Sequence, residues 1–519
     1  MAKLPLGIQH FPNLRNEGYT YVDKTRLLRQ LIEEKPGCFL ARPRRFGKSL
    51  LVSTLEALFQ GKRDLFAGLW IETSGYQWRE YPVIRLDLSA AVADNPKTLA
   101  ISLQDALKAA AARYGIENTE REFPILTFSA LVEKLFHKIG PVVVLVDEYD
   151  HPLVQHVENR ELAEENRKFL RAFYANMKAQ EQYLRFVFVT GVTQFTKVSL
   201  FSGLNNLQML SFREEYADLL GLTDAEIKTY FSSNIRDVAQ RRGETEEQVF
   251  ALLKTWYNGY LYAKSSSIPR VYNPISVFSF LKTAQLDNYW FSTATPTLAI
   301  ALAKQRDFSL LNLEEDVPAG KELEEAHDVG VIDMPTLLYQ TGYLTIRKYD
   351  ERTQTYLLNF PNEEVRRSFL DHLLRVFFNS SPSDIQGTFY KLANYLKRHD
   401  VEGFFNVFNL FLETIPHQIH KDAEGYYHSL LYLFLKTLGF KVEAEVSTSQ
   451  GRIDMVLKTK TDIFVFEFKI NKTAQEALDQ ILHKGYHTQF QMDGRPITLI
   501  GVNFDPLSRR LNDWKSQRP

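Results

Sequence analysis

The sequence predicts a multidomain α/β protein. Three stretches carry that expectation. PVVVLVDEYD (Pro141–Asp150) is an aliphatic run ending in acids. RPRRFGKS (Arg42–Ser49) is a basic loop closing on Gly-Lys-Ser, between an apolar stretch and one of helical period. GRIDMVLK (Gly451–Lys458) and IFVFEFKI (Ile463–Ile470) are two apolar strands that carry Asp454, Glu467 and Lys469. The first two stretches imply a parallel sheet with a ligand at one edge. The third implies a second α/β domain near the C-terminus. At 519 residues the chain has length for two to four domains.

Cys38-Phe39-Leu40-Ala41 reads as a strand, and LLVSTLEALF after the loop reads as a helix. Strand, loop and helix is the context in which backbone amides and a helix N-terminus cradle phosphate oxygens. Gly47, Lys48 and Ser49 fit the usual G-x-x-x-x-G-K-[ST] pattern, with Lys48 on the β- and γ-phosphates and Ser49 on magnesium. Arg42 stands where the first glycine is usual, a position whose loop geometry an arginine is expected to tolerate poorly. Arg42, Arg44 and Arg45, flanking Phe46, would compensate with positive charge or contact the triphosphate. VIRLDLS (Val83–Ser89), VVVLV (Val142–Val146) and LRFVFVTG (Leu184–Gly191) supply further buried strands. At the end of the second of these, Asp147 would hold magnesium through water and Glu148 would polarise the attacking water. Asp87 is a strand-end residue or a supporting group. The lone cysteine, Cys38, is a small core residue and excludes an internal disulfide framework.

Side chains alternate along a strand with a period of two. Phe464, Phe466, Phe468 and Ile470 therefore share one face, and Ile463, Val465, Glu467 and Lys469 the other. The polar link Thr459–Asp462 suits a hairpin, which would set Asp454 beside Glu467. Two carboxylates a few ångströms apart repel, and a hard divalent cation such as Mg2+ or Mn2+ relieves that repulsion. Such a metal polarises a phosphoryl oxygen and lowers the pKa of a bound water, with Lys469 orienting the water or stabilising developing charge. For any one of these residues an exposed charged hairpin is the plainer alternative. The joint pattern inside an aromatic strand favours a site, because burying unpaired charge is costly.

This C-terminal pattern resembles the PD-(D/E)XK nuclease superfamily, in the branch fused to AAA-ATPase-like domains. Asp454 and Glu467-Phe468-Lys469 match its acid and E-x-K triplet. The resemblance implies a further acid on the preceding helix, for which Glu424 fits best, the alternative being a solvated helix start; Glu445 in the first strand is the weaker candidate. It also implies that a polar residue on the following helix, Gln480, faces the site or lies on the surface; Tyr486 is on the same stretch. ITLIGVNF (Ile497–Phe504) would supply the next strand, giving the order helix, three strands, helix, strand. Upstream, LRFVFVTG resembles the sensor strand of AAA-type ATPases, which makes Thr190 or Thr193 a γ-phosphate sensor. GYTYVDKT (Gly18–Thr25), near the adenine or with Asp23 as a plain helix cap, and QFTKVSLFSGLNNL (Gln194–Leu207) look like the same family. So do WYNGY (Trp256–Tyr260), VYNPISVFSFL (Val271–Leu281), LLYQTGYLTI (Leu337–Ile346) and NFPNEEVRRSF (Asn359–Phe369). An arginine at position 42 is itself typical of that family. Arg185 and Arg213 are candidates for an arginine finger.

The expected organisation is an AAA-type P-loop domain over 1–220, a helical lid over 221–330, a winged-helix-like piece and helical bridge over 331–420, and an α/β restriction-endonuclease-like domain over 421–519. Thr223 and Glu226 are spaced as a capping box at the start of the lid. The formal charge is -1, from 62 basic and 63 acidic residues, so nucleic-acid binding must rest on local patches. No apolar run approaches the ~20 residues of a membrane span, and the N-terminus lacks a secretory apolar stretch. The expectation is a cytoplasmic protein that binds ATP and Mg2+ and acts on nucleic acid, DNA favoured, with a homo-oligomer left open. A nuclease regulated by ATP is one reading. A nucleotide switch whose C-terminal domain docks nucleic acid or a protein is the other.

Overall fold

The computed structural model describes residues 1–34, 37–156, 159–194, 207–290, 316–324, 333–378, 391–392, 394–413, 431–432, 435–436, 440–448, 451–505, 507–508 and 510–519. They divide into two compact units, the first ending at Arg366 and the second beginning at Arg367. The division falls inside the helix Glu363–Phe378.

The first unit is built on five strands: β1 (Gly37–Ala41), β2 (Val83–Asp87), β3 (Val142–Asp147), β4 (Leu184–Gly191) and β5 (Gln208–Met209). Their order is β2-β3-β4-β1-β5, and every neighbouring pair is parallel. β1 and β3 are buried at every position, as continuous apolar runs require when helices cover both faces. The four longer strands are those the sequence predicts; β5, two residues at the edge, leaves no periodic signal. Ligands bind such sheets at the carboxyl ends of the strands. Here those ends carry Arg42, Asp87, Asp147 and Gly191.

The helices Asp224–Arg242, Glu246–Tyr257 and Pro274–Thr283 follow, around a core that includes Phe231, Leu253, Tyr272 and Phe280. The capping box forms: Glu226 N donates to the Thr223 hydroxyl at 3.2 Å, and Thr223 N to the Glu226 carboxylate at 2.8 Å. Beyond them, β7 (Thr345–Asp350) and β8 (Thr355–Asn359) make a hairpin. A strand the sequence does not announce, β6 (Val317–Ala319), pairs with β8 to give a three-stranded sheet.

The second unit carries β9 (Lys441–Thr448), β10 (Gly451–Lys458), β11 (Ile463–Ile470), β12 (Ile497–Asp505) and β13 (Arg510–Gln517), in the order β13-β12-β11-β10-β9. β11 and β12 are parallel and the other pairs antiparallel. The helix Ala474–His483 connects β11 to β12 and packs Leu478 and Ile481 on Ile463, Val465 and Leu499. β13 extends the predicted core by one edge strand; its sequence, RLNDWKSQ, is too polar to read as one.

Gly501 lets that helix approach. A Cβ at this position would lie 2.2 Å from the Ala474 carbonyl oxygen and 2.7 Å from Leu478 N. Gly501 is level with Glu467 on β11, so the close approach occurs where the predicted site lies. Gly501→Ala is expected to destabilise the protein by about 2–3 kcal/mol, read as a lowered denaturation midpoint in urea. An unchanged midpoint would show that the helix shifts freely.

Candidate functional site

In the first unit a cavity of about 450 Å3 opens over the Gly-Lys-Ser loop. Arg44 through Leu51 line one side, with Glu148, His151 and Ser89. Tyr21, Val22, Leu222, Ile275 and Phe278 give it an apolar wall. The Gly18–Thr25 segment therefore contributes to this cavity, and Asp23 also accepts from Thr25 N at 2.9 Å, as a helix cap does.

The loop lysine is buried. Lys48 Nζ donates to the carbonyls of Arg42 at 3.1 Å and Pro43 at 3.2 Å and pairs with Glu148 at 3.2 Å. Asp147 lies at the end of β3, fully buried, and among the described residues neither carboxylate oxygen accepts a hydrogen bond of ordinary geometry. Arg85 comes no closer than 3.9 Å. Burial pushes the Asp147 carboxyl up to about 6, against the Ser49 hydroxyl, which favours the charged form. A buried carboxylate with orphaned oxygens beside a serine hydroxyl and a lysine fits a hydrated magnesium ion bridging to phosphate.

Several expectations at this site need correction. Arg42 does not face the cavity. Its guanidinium is buried behind the loop, donating to the carbonyls of Ala41 and Ser211, both at 2.9 Å, and of Tyr216 at 3.3 Å, and lying 3.9 Å above the Tyr262 ring. Nor does position 42 need a glycine: positive φ falls at Arg45 (69°) and Gly47 (100°). Thr190 is also turned away, its hydroxyl donating to the Leu40 carbonyl at 2.7 Å across the β1–β4 ladder. The Phe46 ring packs edge-on to Tyr260 at 4.8 Å, so at the cavity it offers mainly backbone. Thr193 serves Asp150, donating from its hydroxyl at 2.5 Å and its N–H at 2.7 Å. Arg185 is the second residue of β4, at the end of the strand away from the loop, and donates to the Ile32 carbonyl at 3.2 Å. Arg44 and Arg45 do line the cavity and are exposed.

In the second unit the β10–β11 register pairs Met455 with Phe466 and Val456 with Val465. One further step sets Asp454 against Glu467. Asp454 accepts from Phe468 N at 2.7 Å. Glu467 is 1% exposed, which excludes a merely solvated hairpin face. Its Oε1 accepts from Lys469 Nζ at 3.0 Å and from the Gln480 amide, while among the described residues its Oε2 accepts no hydrogen bond of ordinary geometry. Gln480, which the sequence leaves between surface and site, is thus a direct partner of the triplet. Tyr486 is buried in the core under the sheet. Glu445 lies between Val446 and Ala444, which pair with Ile453 and Met455, so it flanks Asp454 on β9; its φ is +56° and it pairs with Arg452. Glu424 lies outside the described residues, as do residues 195–206 of the Gln194–Leu207 segment.

Burial, and then the neighbouring Asp454, pushes Glu467 up to about 7, and burial also raises Asp454. Among the described residues no three His, Cys, Asp or Glu side chains are grouped to hold a metal. Two carboxylates with one orphaned oxygen fit a cation that keeps water and phosphate as its remaining ligands, as magnesium does.

Protein-family models match both units: one described as "Predicted AAA-ATPase" over residues 5–201, and one of the PD-(D/E)XK nuclease superfamily over residues 422–514. An Azotobacter chroococcum mcd 1 protein, described as "Uncharacterized protein in vnfD 5'region", is 36% identical over 520 residues, which are 98% of each chain. This chain belongs to the family that joins an AAA-ATPase-like domain to a PD-(D/E)XK nuclease domain. The Aeropyrum pernix ORC1 protein, solved in complex with DNA, aligns over 66% of this chain and 91% of its own at 12% identity, with a TM-score of 0.25. A likeness at that score supports no conclusion. Within the family fusion, the parallel sheet belongs to the ATPase-like part and the mixed sheet to the nuclease-superfamily part. Among the described residues no helix is long and apolar enough to cross a membrane.

The Glu467 shift sets a pH dependence. The folded carboxyl keeps its proton to about 7, whereas the unfolded one releases it near 4.5. The native state binds more protons across that window, so this group's stabilising contribution is lost as pH rises through it, by roughly 3 kcal/mol at most. Glu467→Gln is expected to flatten that decline and to raise Tm at pH 7.5 in metal-free buffer. Parallel pH profiles of the two proteins would contradict the assignment.

Proposed function

We propose that the chain binds and hydrolyses ATP, and that its nucleotide state regulates a metal-dependent phosphodiesterase domain acting on nucleic acid, DNA favoured. The observation that carries this reading is the Glu467 carboxyl: buried, beside a second acid, clamped at one oxygen by Lys469 and Gln480 and left open at the other. Burying such a group is unfavourable unless a cation completes it.

Asp454 and Glu467 would hold Mg2+ or Mn2+, which supplies Lewis acidity toward phosphate and a more acidic bound water. Gln480 and Lys469 fix Glu467 so that Oε2 stays available, and the Lys469 ammonium offsets charge building on the phosphate. The Phe468 N–H holds Asp454 in place. In the other unit, Lys48 would move from Glu148 and the loop carbonyls to the β- and γ-phosphates. Ser49 and Asp147 would hold Mg2+, and Glu148, freed from Lys48, would polarise water. The apolar wall of Val22, Leu222 and Phe278 suits a base.

The functional parts we assign are an ATPase domain over 1–220, a lid over 221–330, a winged-helix-like and helical bridge over 331–420, and a nuclease domain over 421–519. A cytoplasmic location and action as a homo-oligomer belong to the same reading.

The test is cleavage of plasmid and single-stranded nucleic acid, DNA and RNA, with Mg2+ or Mn2+, with and without ATP. Asp454→Ala is expected to lower cleavage at least about 100-fold, as loss of a metal-holding or charge-stabilising group does. Lys48→Ala is expected to keep basal cleavage and lose the response to ATP. If the unmodified protein binds ATP yet cleaves neither nucleic acid, the nucleotide-switch reading replaces this one.

A further inference from the structure

Behind the phosphate-binding loop lies a second, much smaller cavity, walled by Arg42, Ser211, Tyr262, Tyr339 and Gln340 among others. The space open to the centre of a water-sized sphere is about 10 Å3, room for one water or one small ion. Four side-chain donors of the residues that wall it have no acceptor among the described residues: Arg42 Nε, the Tyr262 and Tyr339 hydroxyls, and Gln340 Nε2. None of the four residues is more than 4% exposed. The Gln340 amide is oriented by its other end, since Oε1 accepts from Gln194 N at 2.9 Å. Burial raises the pKa of both phenols, so their O–H groups stay donors. Buried polar atoms without partners are rare, and four around one cavity call for a shared acceptor.

Charge decides which acceptor. Arginine stays protonated in proteins. Around this guanidinium stand three backbone carbonyls and the Tyr262 ring face, and among the described residues no carboxylate lies within ion-pair distance. Carbonyl dipoles and a π face offset part of the cost of burying the charge, but they do not neutralise it. A water would accept from the donors and leave the charge unbalanced.

We propose that this cavity binds one monatomic monovalent anion, chloride or bromide, held by Arg42 Nε, the Tyr262 and Tyr339 hydroxyls and the Gln340 amide. The site is separate from the nucleotide cavity, which Arg42 does not line. It is nonetheless tied to it, because the Arg42 carbonyl accepts from Lys48 Nζ at 3.1 Å. The anion stabilises the base of the loop that carries the lysine.

The test is thermal unfolding of the full chain without nucleotide in sodium chloride, sodium bromide and sodium gluconate at equal ionic strength, with bromide anomalous diffraction. Binding to the native state predicts that Tm rises with the logarithm of halide concentration, by several degrees over gluconate. Tyr339→Phe, which keeps the ring, should raise the halide concentration needed about tenfold, the loss of one hydrogen bond to a charge. A bromide peak should lie within hydrogen-bonding distance of Arg42 Nε. Equal Tm in chloride and gluconate would overturn the proposal. So would a halide response unchanged by Tyr339→Phe, or a water and no bromide peak in the cavity.

Discussion

A carboxylate buried at the working end of a strand, with at least one oxygen that no donor among the described residues satisfies, is the constraint on which both sites depend. Asp147 and Glu467 are each in that condition. Asp147 ends a strand buried at every position, and Glu467 is held at one oxygen by Lys469 and Gln480. A folded protein keeps such groups only where something else completes them. Both shifts run toward the neutral acid, so at each site a divalent cation competes with a proton for the carboxylate.

The two sites reach this condition by different routes. In the first unit a parallel sheet presents its strand ends together, and Lys48 waits on the loop carbonyls and on Glu148. In the second, an antiparallel register sets two acids side by side, and a helix held close by Gly501 brings Gln480 down on one of them. The first arrangement, an ammonium beside backbone amides, suits an anionic ligand. The second keeps one oxygen open beside a fixed ammonium, which suits a metal-bound phosphate.

Much of this was legible in the sequence because its signals are local. Aliphatic runs marked β1 to β4, period-two alternation put Glu467 and Lys469 on one face, and the Thr459–Asp462 link announced the hairpin that pairs Asp454 with Glu467. What was not legible depended on distant partners. Arg42 reads as a phosphate ligand from its place in the loop, yet its partners are 169 and 174 residues away in sequence, at Ser211 and Tyr216. Thr190 reads as a sensor from its strand, but a hydroxyl near a strand end can as well satisfy the neighbouring strand's carbonyl, and it does. Gln480 could have been promoted from its place on the amphipathic helix: it lies one position before Ile481, which packs on the sheet face that carries Glu467. β6 and β13 are edge strands with too few apolar residues to show a period.

The central claim, that these two buried carboxylates are cation sites, is tested most directly by counting bound Mn2+ by electron paramagnetic resonance, with and without ATP. The account predicts one site without nucleotide, lost in Glu467→Gln, and a second that appears with ATP and is lost in Asp147→Asn. Mn2+ binding left unchanged by both substitutions would contradict it.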